Sequence, residues 1–220
     1  MTSKTTDPPK NLSEMRKELY IWFKKNGRHE LPWRKTKNSY QILVSEIMLQ
    51  QTQVERVKPH WKNWITKWPN IKSLASASRG EVIHAWSGLG YNRRSVNLHR
   101  TAQRIESQYN SKVPMDEKIL CELPGIGPYT AAAISCFSAN KKTRPADTNI
   151  TRVITRAFLG LQNSYPDTKK MIRKQLAELE PSQNFRKHYL ALMDLGAVIC
   201  QSRSPSCDLC PWQSKCRWLE

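Results

Sequence analysis

The stretch Leu123–Ala133, Leu-Pro-Gly-Ile-Gly-Pro-Tyr-Thr-Ala-Ala-Ala, indicates a tight turn that leads directly into a helix. Gly125 and Gly127 lack a Cβ, so the backbone can turn sharply there and point its N–H groups outward. The alanine run favours a helix, whose positive end lies at the turn. Such a turn can bind an anion such as a phosphate, although a Gly-x-Gly sequence is also typical of an ordinary connection between two helices.

On both sides of this turn, apolar residues recur at helical spacing, and nowhere do they alternate for long as in a strand. The helical stripes include Leu12, Met15, Leu19, Trp22 and Phe23; Trp61, Trp64, Ile65 and Trp68; Leu98, Ala102 and Ile105; and Ile150, Val153, Ile154 and Phe158. Ser78 and Glu81 have the spacing of a capping box, which opens another helix. We therefore predict an all-α protein of about ten short helices. Residues 1–11 are predicted to form a flexible tail.

The composition indicates a folded, strongly basic protein. Thirty-six Lys and Arg residues against 18 Asp and Glu give a formal net charge of +18, which favours a polyanionic partner. No apolar run approaches the roughly 18 residues of a membrane span, and the first residues contain no apolar segment of the kind found in signal peptides. We expect an intracellular protein, in the cytoplasm or nucleoid of a bacterium or the nucleus of a eukaryote, with no membrane partner.

Four cysteines close together near the end of the sequence indicate a metal site. Cys200, Cys207, Cys210 and Cys216 follow the spacing C-x₆-C-x₂-C-x₅-C. Clustered thiolates are ligands for a soft metal ion or an iron–sulfur cluster, and they suit a reducing compartment better than a disulfide framework does. Zinc ribbons usually contain two C-x₂-C pairs, and the single pair here favours iron and sulfur, with zinc remaining open.

Five motifs follow one another along the chain: Ser45–Val54 (SEIMLQQTQV), Gly88–Tyr91 (GLGY), Leu123–Gly127 (LPGIG), Asp147–Asn149 (DTN) and the four cysteines. They occur in the order found in helix-hairpin-helix base-excision DNA glycosylases, and the chain most resembles the MutY adenine glycosylases. The resemblance implies a two-lobed helical body over residues 12–220. The first lobe, about 40–140, would carry the hairpin, and the N- and C-terminal helices with a cysteine loop at 200–216 would form the second. It also implies a [4Fe-4S] cluster on the four cysteines and a monomer that flips a base out of double-stranded DNA.

Two carboxyl groups acquire roles through this resemblance. From the residues alone, Glu46 could be one more helical carboxylate and Asp147 a helix N-cap. Breaking an N-glycosidic bond requires a proton for the departing base and negative charge near the sugar as it becomes cationic. The resemblance implies that Glu46 supplies the proton and that Asp147 stabilises the cation. Tyr129 occupies the place where bifunctional relatives carry a lysine nucleophile, which implies an enzyme that leaves an abasic site without cutting the strand.

The resemblance also implies a set of contacts to DNA. Gln51 and Tyr91 would fill the gap in the base stack, and thereby offset part of the unstacking cost. Gly125 and Gly127 would bind a phosphate through their backbone. Arg203 and Lys215 lie within the cysteine loop, where a bound cluster would hold them against the DNA backbone; the alternative is that they are simply solvated.

The base that is excised is predicted to be adenine, opposite guanine or 8-oxoguanine. Adenine glycosylases commonly carry Asp-Gly-Asn where this chain has Asp147-Thr148-Asn149, so excision of thymine or uracil from G:T or G:U remains an alternative. Full MutY proteins have a further C-terminal domain that recognises 8-oxoguanine, whereas this sequence ends four residues after Cys216. A non-catalytic DNA-binding protein on the same fold is the alternative from another class.

Overall fold

The computed structural model describes residues 11–164 and 166–219, and within these residues it contains helices and no strand. The α-helices are α1 (Leu12–Asn26), α2 (Ser39–Leu49), α3 (Val54–Lys67), α4 (Ile71–Ala75), α5 (Arg79–Ala85), α6 (Arg93–Tyr109), α7 (Glu117–Cys121), α8 (Pro128–Ala139), α9 (Thr148–Leu159), α10 (Lys169–Leu179) and α11 (Phe185–Val198). Short 3₁₀ turns lie at Pro32–Arg34, Pro166–Thr168, Cys207–Leu209 and Gln213–Lys215. The all-α prediction is confirmed. The tail predicted for residues 1–11 lies outside the described residues except for Asn11, whose side chain accepts the Glu14 N–H and caps α1.

The chain divides into two compact units. The central unit comprises residues 29–145, and the terminal unit comprises residues 1–28 and 146–220. The terminal unit therefore combines the first helix with the last three, while helices α2 to α8 belong to the central unit.

Aromatic side chains fill the core of the central unit. Trp64 contacts the rings of Trp68 and Trp86 edge to face, at centroid distances of 4.7 and 5.5 Å. The hydroxyl group of Tyr40 donates to the Trp68 carbonyl at 2.8 Å, so this buried polar group is satisfied. The predicted stripes on α3 and α6 are buried in this core, as expected for amphipathic helices. The capping box at Ser78 and Glu81 is also present.

The terminal unit is built around α9, which packs against α10 and α11, while α1 packs against α11. The indole N–H of Trp212 donates to the Met15 carbonyl at 2.8 Å and ties the end of the chain to α1. Asp194 is fully buried on α11 and is paired with the Arg28 guanidinium at 2.7 Å. A buried carboxylate is tolerated here because a cation and a backbone N–H both satisfy it. Among the described helices, none is long and apolar enough to cross a membrane.

Candidate active site

Glu46 lies in the middle of α2, on a helix that is buried on almost every side. Asn38 caps the helix by accepting from the N–H groups of Tyr40 and Gln41, at 3.0 and 3.2 Å. From Tyr40 onward nearly every side chain of α2 is buried, because the helix packs against α3, α6 and α8. Glu46 itself is 8% exposed. Its carboxyl group is therefore screened from bulk water while remaining attached to a rigid element.

The end of α2 is joined to the hairpin. The side-chain amide of Gln50 donates to the Gly125 carbonyl and to the Thr130 hydroxyl, both at 3.3 Å. The helix that carries Glu46 and the turn that was predicted from Leu123–Ala133 therefore form one connected region of the central unit.

The hairpin has the predicted form, with α7 and α8 joined by a turn at residues 122–127. Leu123 and Ile126 are buried and anchor the turn, whereas Gly125 and Gly127 are exposed. Gly125 has φ +80°, and a Cβ there would lie 2.9 Å from the Cβ of Asn97, so a side chain is excluded by both conformation and space. Gly127 is the N-cap residue of α8. The turn thus exposes backbone at the positive end of a twelve-residue helix.

Tyr129 is the second residue of α8 and is half-buried. Because it follows Gly127 and Pro128 directly, its side chain belongs to the first turn of the helix. A phenol at this position has no amine with which to form an imine.

Gln51 and Tyr91 occupy two exposed loops of the central unit. Gln51 follows the C-terminus of α2 with φ 55°, and Tyr91 precedes α6 with φ 49°. Tyr91 is 65% exposed, which is unusual for a large aromatic residue. Both side chains are therefore presented to solvent by strained backbone, a feature that clusters at ligand-contacting sites.

Asp147 begins α9 and is its N-cap, as its position predicted. Oδ1 accepts from the Ile150 N–H at 2.7 Å, and Oδ2 accepts from the Asn149 side-chain amide at 2.8 Å. Burial raises the pKa of Asp147, while these hydrogen bonds and the nearby Arg152 charge act in the opposite direction. Its carboxyl group is therefore partly desolvated but held in a fixed orientation.

A chain of polar contacts connects Asp147 to the first of the four cysteines. Asn149 accepts from Nη2 of Arg152 at 2.8 Å, and Nε of Arg152 donates to the Cys200 carbonyl at 2.7 Å. The same Nη2 donates to the Gly196 carbonyl at 2.8 Å. A Cβ on Gly196 would lie 2.8 Å from the Cβ of Asn149, so glycine is what permits α11 to approach α9 this closely.

The four cysteines are all free thiols of intermediate exposure in one loop. Burial raises the pKa of Cys210 to about 12 and also raises the pKa of Cys207 and of Cys216. Ionised neighbouring cysteines would repel one another, and this adds to each of these shifts. A cationic centre would remove this repulsion, and four free thiols in one loop are a donor set that fits a thiolate-bound metal group.

Arg156 supports the same loop from α9. Its Nη1 lies 3.7 Å from the Cys200 sulfur and donates to the Gln201 carbonyl at 2.7 Å, and Nη2 donates to the Ser202 carbonyl at 3.1 Å. Among the described residues, no three Cys, His, Asp or Glu side chains are grouped as they would be around a single metal ion.

The two predicted basic contacts of the cysteine loop differ in their surroundings. Arg203 is exposed to solvent. Lys215 instead donates to Glu18 of α1 at 2.5 Å and lies 3.5 Å from Glu14, so a phosphate would have to compete with two carboxylates for this ammonium group. That both residues bind DNA stays a prediction.

Sequence reasoning missed three arginines that organise these loops: Arg94, Arg152 and Arg156. Each is more than half buried and donates to main-chain carbonyls. Arg152 and Arg156 are four residues apart on α9, next to the apolar stripe that predicted the helix. Two arginines at that spacing beside an apolar helix face could have indicated that their side chains bind neighbouring loops.

Comparison with known proteins defines the class to which this arrangement belongs. The family model for the HhH-GPD superfamily of base excision DNA repair proteins matches residues 44–181. These residues include α2 with Glu46, the hairpin, and Asp147 at the start of α9.

Individual relatives extend the match to most of the chain. The chain is 45% identical to the adenine DNA glycosylase of Mycolicibacterium smegmatis over 202 residues, which is 91% of this chain and 68% of the relative. It is 34% identical to the human adenine DNA glycosylase over 219 residues, which cover 94% of this chain and 39% of the human protein. The chain therefore belongs to the HhH-GPD superfamily of base excision DNA repair proteins and, within it, to the adenine DNA glycosylase family.

Solved structures agree on the fold. A thermostable thymine-DNA glycosylase is 29% identical with a TM-score of 0.85, and the match covers 95% of this chain and 98% of that one. Endonuclease III in a trapped covalent complex with DNA is 21% identical with a TM-score of 0.80, over 97% of this chain and 96% of that one. The predicted helix-hairpin-helix glycosylase fold is confirmed by these two likenesses and the family match.

Proposed function

We propose that this protein is a monofunctional DNA glycosylase that excises adenine mispaired with guanine or 8-oxoguanine. The observation that carries the proposal is the identity to adenine DNA glycosylases over most of the chain. The site agrees with it, because Glu46 and Asp147 provide the two carboxyl groups that the reaction requires, each on a helix that fixes its position.

Glu46 is proposed to protonate the departing base. A departing adenine needs a proton because the neutral base is a far better leaving group than its anion. A carboxyl group screened from bulk water on a rigid helix can deliver that proton without competition from solvent.

Asp147 is proposed to stabilise the cationic sugar once the bond lengthens. Its two oxygens already accept two hydrogen bonds, which hold the anion in place before the charge develops. A preorganised charge costs no reorganisation at the moment of reaction, and this makes it effective.

Tyr129 supports the monofunctional assignment. Bond cleavage then uses water, and the product is an abasic site in an intact strand. Borohydride is expected to trap no efficient covalent complex between the protein and a substrate duplex. Strong trapping that disappears when one lysine is replaced would contradict the assignment.

The DNA partner is supported by charge and by the exposed backbone of the hairpin. A formal charge of +18 drives association with phosphates through counterion release. Gly125 and Gly127 would bind a DNA phosphate at the start of α8. Arg203 would contact the DNA backbone near the cysteine loop. Gln51 and Tyr91 would enter the base stack.

The four cysteines are proposed to bind a [4Fe-4S] cluster, which would supply a rigid support for the loop. The proposal is supported by the four free thiols of intermediate exposure that lie in one loop, because thiolates are the ligands that hold iron–sulfur clusters. Anaerobically purified protein should be brown and contain about four iron atoms per chain. A colourless protein with one zinc atom would contradict it.

The proposal includes a monomer that works in a reducing intracellular compartment, where free thiols persist. Light scattering coupled to size exclusion should give a mass near 25.6 kDa. A stable dimer mass would contradict the monomer.

Excision of thymine is the second candidate function, because the thymine-DNA glycosylase structure is similar over nearly the whole chain. Duplexes with A:G, A:8-oxoG, T:G and U:G, each followed by alkali to cleave abasic sites, separate the two. We expect cleavage at adenine only. Cleavage at thymine or uracil with adenine intact would reassign the substrate, and binding without any cleavage would indicate a non-catalytic DNA-binding protein.

A further inference from the structure

A single arginine connects the loops that carry Gln51 and Tyr91. Arg94 is the second residue of α6, and only 9% of it is exposed. Its Nη1 donates to the Met48 carbonyl at 2.9 Å, to the Ile47 carbonyl at 3.1 Å and to the Gln50 carbonyl. These carbonyls end α2 and have no partner within the helix, so the guanidinium caps the negative end of the helix that carries Glu46.

The other half of the same guanidinium binds the second loop. Nη2 donates to the Gly90 carbonyl at 3.0 Å, to the Leu89 carbonyl at 3.2 Å and to the Thr52 hydroxyl at 2.9 Å. Arg94 therefore contacts the residues on both sides of Gln51 and the two residues before Tyr91. Its charged carbon also lies 5.5 Å from the centre of the Tyr91 ring, within cation–π range.

Only arginine can make this connection. Its planar fork presents donors in two directions at fixed angles, whereas the lysine ammonium is a single point with three donors. Gln51 and Tyr91 both have positive φ, a strained conformation that persists only where the surrounding structure enforces it. Trp86 also stabilises the loop that carries Tyr91, because its indole N–H donates to the Gly90 carbonyl at 3.0 Å. The contribution particular to Arg94 is to fix one loop relative to the other.

We propose that Arg94 is a positioning residue that sets the spacing of Gln51 and Tyr91, so that both side chains enter the base stack together when a nucleotide is extruded. This inference rests on the proposed function. Arg94 touches neither the base nor the sugar in this account. It acts by keeping two loops in the conformation that bound DNA requires, so the cost of ordering them is met before binding.

The test is a double-mutant cycle with single-turnover excision of adenine at saturating enzyme. Arg94→Lys is expected to lower the rate about 10-fold, the equivalent of about one charge-assisted hydrogen bond. In a Gln51→Ala/Tyr91→Ala background the same substitution should change the rate by less than about 2-fold, because the side chains that Arg94 positions are gone.

Arg16→Lys is the matched control. Arg16 is a half-buried arginine of α1 that donates to the carbonyls of Glu178 and Leu179, at 3.4 and 3.5 Å, and it lies outside the proposed site. It should leave the excision rate unchanged. An equal loss from Arg94→Lys in both backgrounds would overturn the proposal, since a general effect on folding or phosphate binding gives that result. A wild-type rate in Arg94→Lys would also overturn it.

A second readout separates this inference from the proposed function. 2-Aminopurine placed beside the mismatched base reports unstacking by its fluorescence, whether or not a base is excised. Arg94→Lys should reduce the fluorescence increase on binding, and Arg16→Lys should not. If the wild-type protein excises no adenine, the proposed function fails. The positioning role then stands if the Arg94 difference is observed, and it fails if the difference is absent.

Discussion

The two carboxyl groups assigned to the chemistry lie at different positions on their helices. Glu46 lies in the middle of a helix whose neighbouring residues are nearly all buried, whereas Asp147 lies at the beginning of a helix and accepts an N–H and a side-chain amide. Two identical functional groups in different environments can perform different halves of an acid–base reaction. The position of each carboxyl group along its helix therefore suits it to a different role.

Glu46 and Asp147 are also held in place by different residues. Glu46 belongs to a helix whose end is fixed by Gln50 and Arg94 within the central unit. Asp147 is connected through Asn149 and Arg152 to the backbone of Cys200. Changes in the cysteine loop should therefore reach Asp147 and leave the environment of Glu46 intact.

Replacing Asp147 should have the largest effect. Asp147→Asn removes the anion while retaining an oxygen that can cap α9, so single-turnover excision should fall by at least about 10²-fold with little change in DNA affinity. Asp116→Asn is the matched control, because Asp116 caps α7 in the same way and lies outside the proposed site. Equal losses from both variants would show that helix capping, and not the charge, accounts for the effect.

Replacing Gly196 should affect stability. Gly196→Ala places a Cβ within 2.8–2.9 Å of Asn149, including its backbone oxygen, so α11 must shift. We expect the free energy of unfolding in urea to fall by about 2 kcal/mol. Gly80→Ala is the control, since a Cβ on Gly80 meets nothing within 4 Å and alanine favours the helix. An unchanged unfolding midpoint for Gly196→Ala would contradict the close packing of α9 and α11.

Replacing Arg152 tests the connection to the cysteine loop. Arg152→Gln should lower single-turnover excision about 10-fold, as loss of a supporting contact commonly does. Arg217→Gln removes an arginine that donates to the Phe158 carbonyl in the same unit and should cost much less. If the Arg152 variant keeps full activity, the path from Cys200 to Asp147 has no functional role.

The smallest effect concerns the pH dependence. The Asn149 amide and the Arg152 charge both hold down the pKa of Asp147 against the effect of burial. Asn149→Ala removes the amide that donates to Asp147 and also the oxygen that holds Arg152 in place. The pKa of Asp147 therefore rises, and its ionised form is lost at a higher pH than in the wild type. The acid limb of the excision rate should move to higher pH by up to about one unit. A shift to lower pH, or none, would contradict this arrangement.

Features that depend on residues only a few positions apart could be predicted from the sequence. They are the apolar stripes on α3 and α6, the capping box at Ser78, the hairpin turn and the Asp147 cap, and all of them are observed. A buried side chain among apolar neighbours, such as Glu46, has no such local signal. Only the family resemblance drew attention to it.

The contacts that span long stretches of sequence could not be predicted. Arg94 binds carbonyls more than forty residues away, and Lys215 binds Glu18 at a separation of 197 residues. Main-chain carbonyls are present at every position, so the sequence does not indicate which of them an arginine will bind. The sequence likewise gives no sign that Asn149 approaches Gly196 so closely that a side chain is excluded there.

Single-turnover excision by Glu46→Gln determines whether Glu46 is the acid that protonates the base. The substitution keeps size and hydrogen bonding but removes the acid. Its control is Glu106→Gln, at a half-buried glutamate of α6 that accepts from the Ser111 hydroxyl. On a duplex with adenine opposite 8-oxoguanine, we predict that wild type and Glu106→Gln form an abasic site at the adenine. Glu46→Gln should bind with similar affinity but react at least about 10²-fold more slowly. A Glu46→Gln rate near that of wild type would contradict the account.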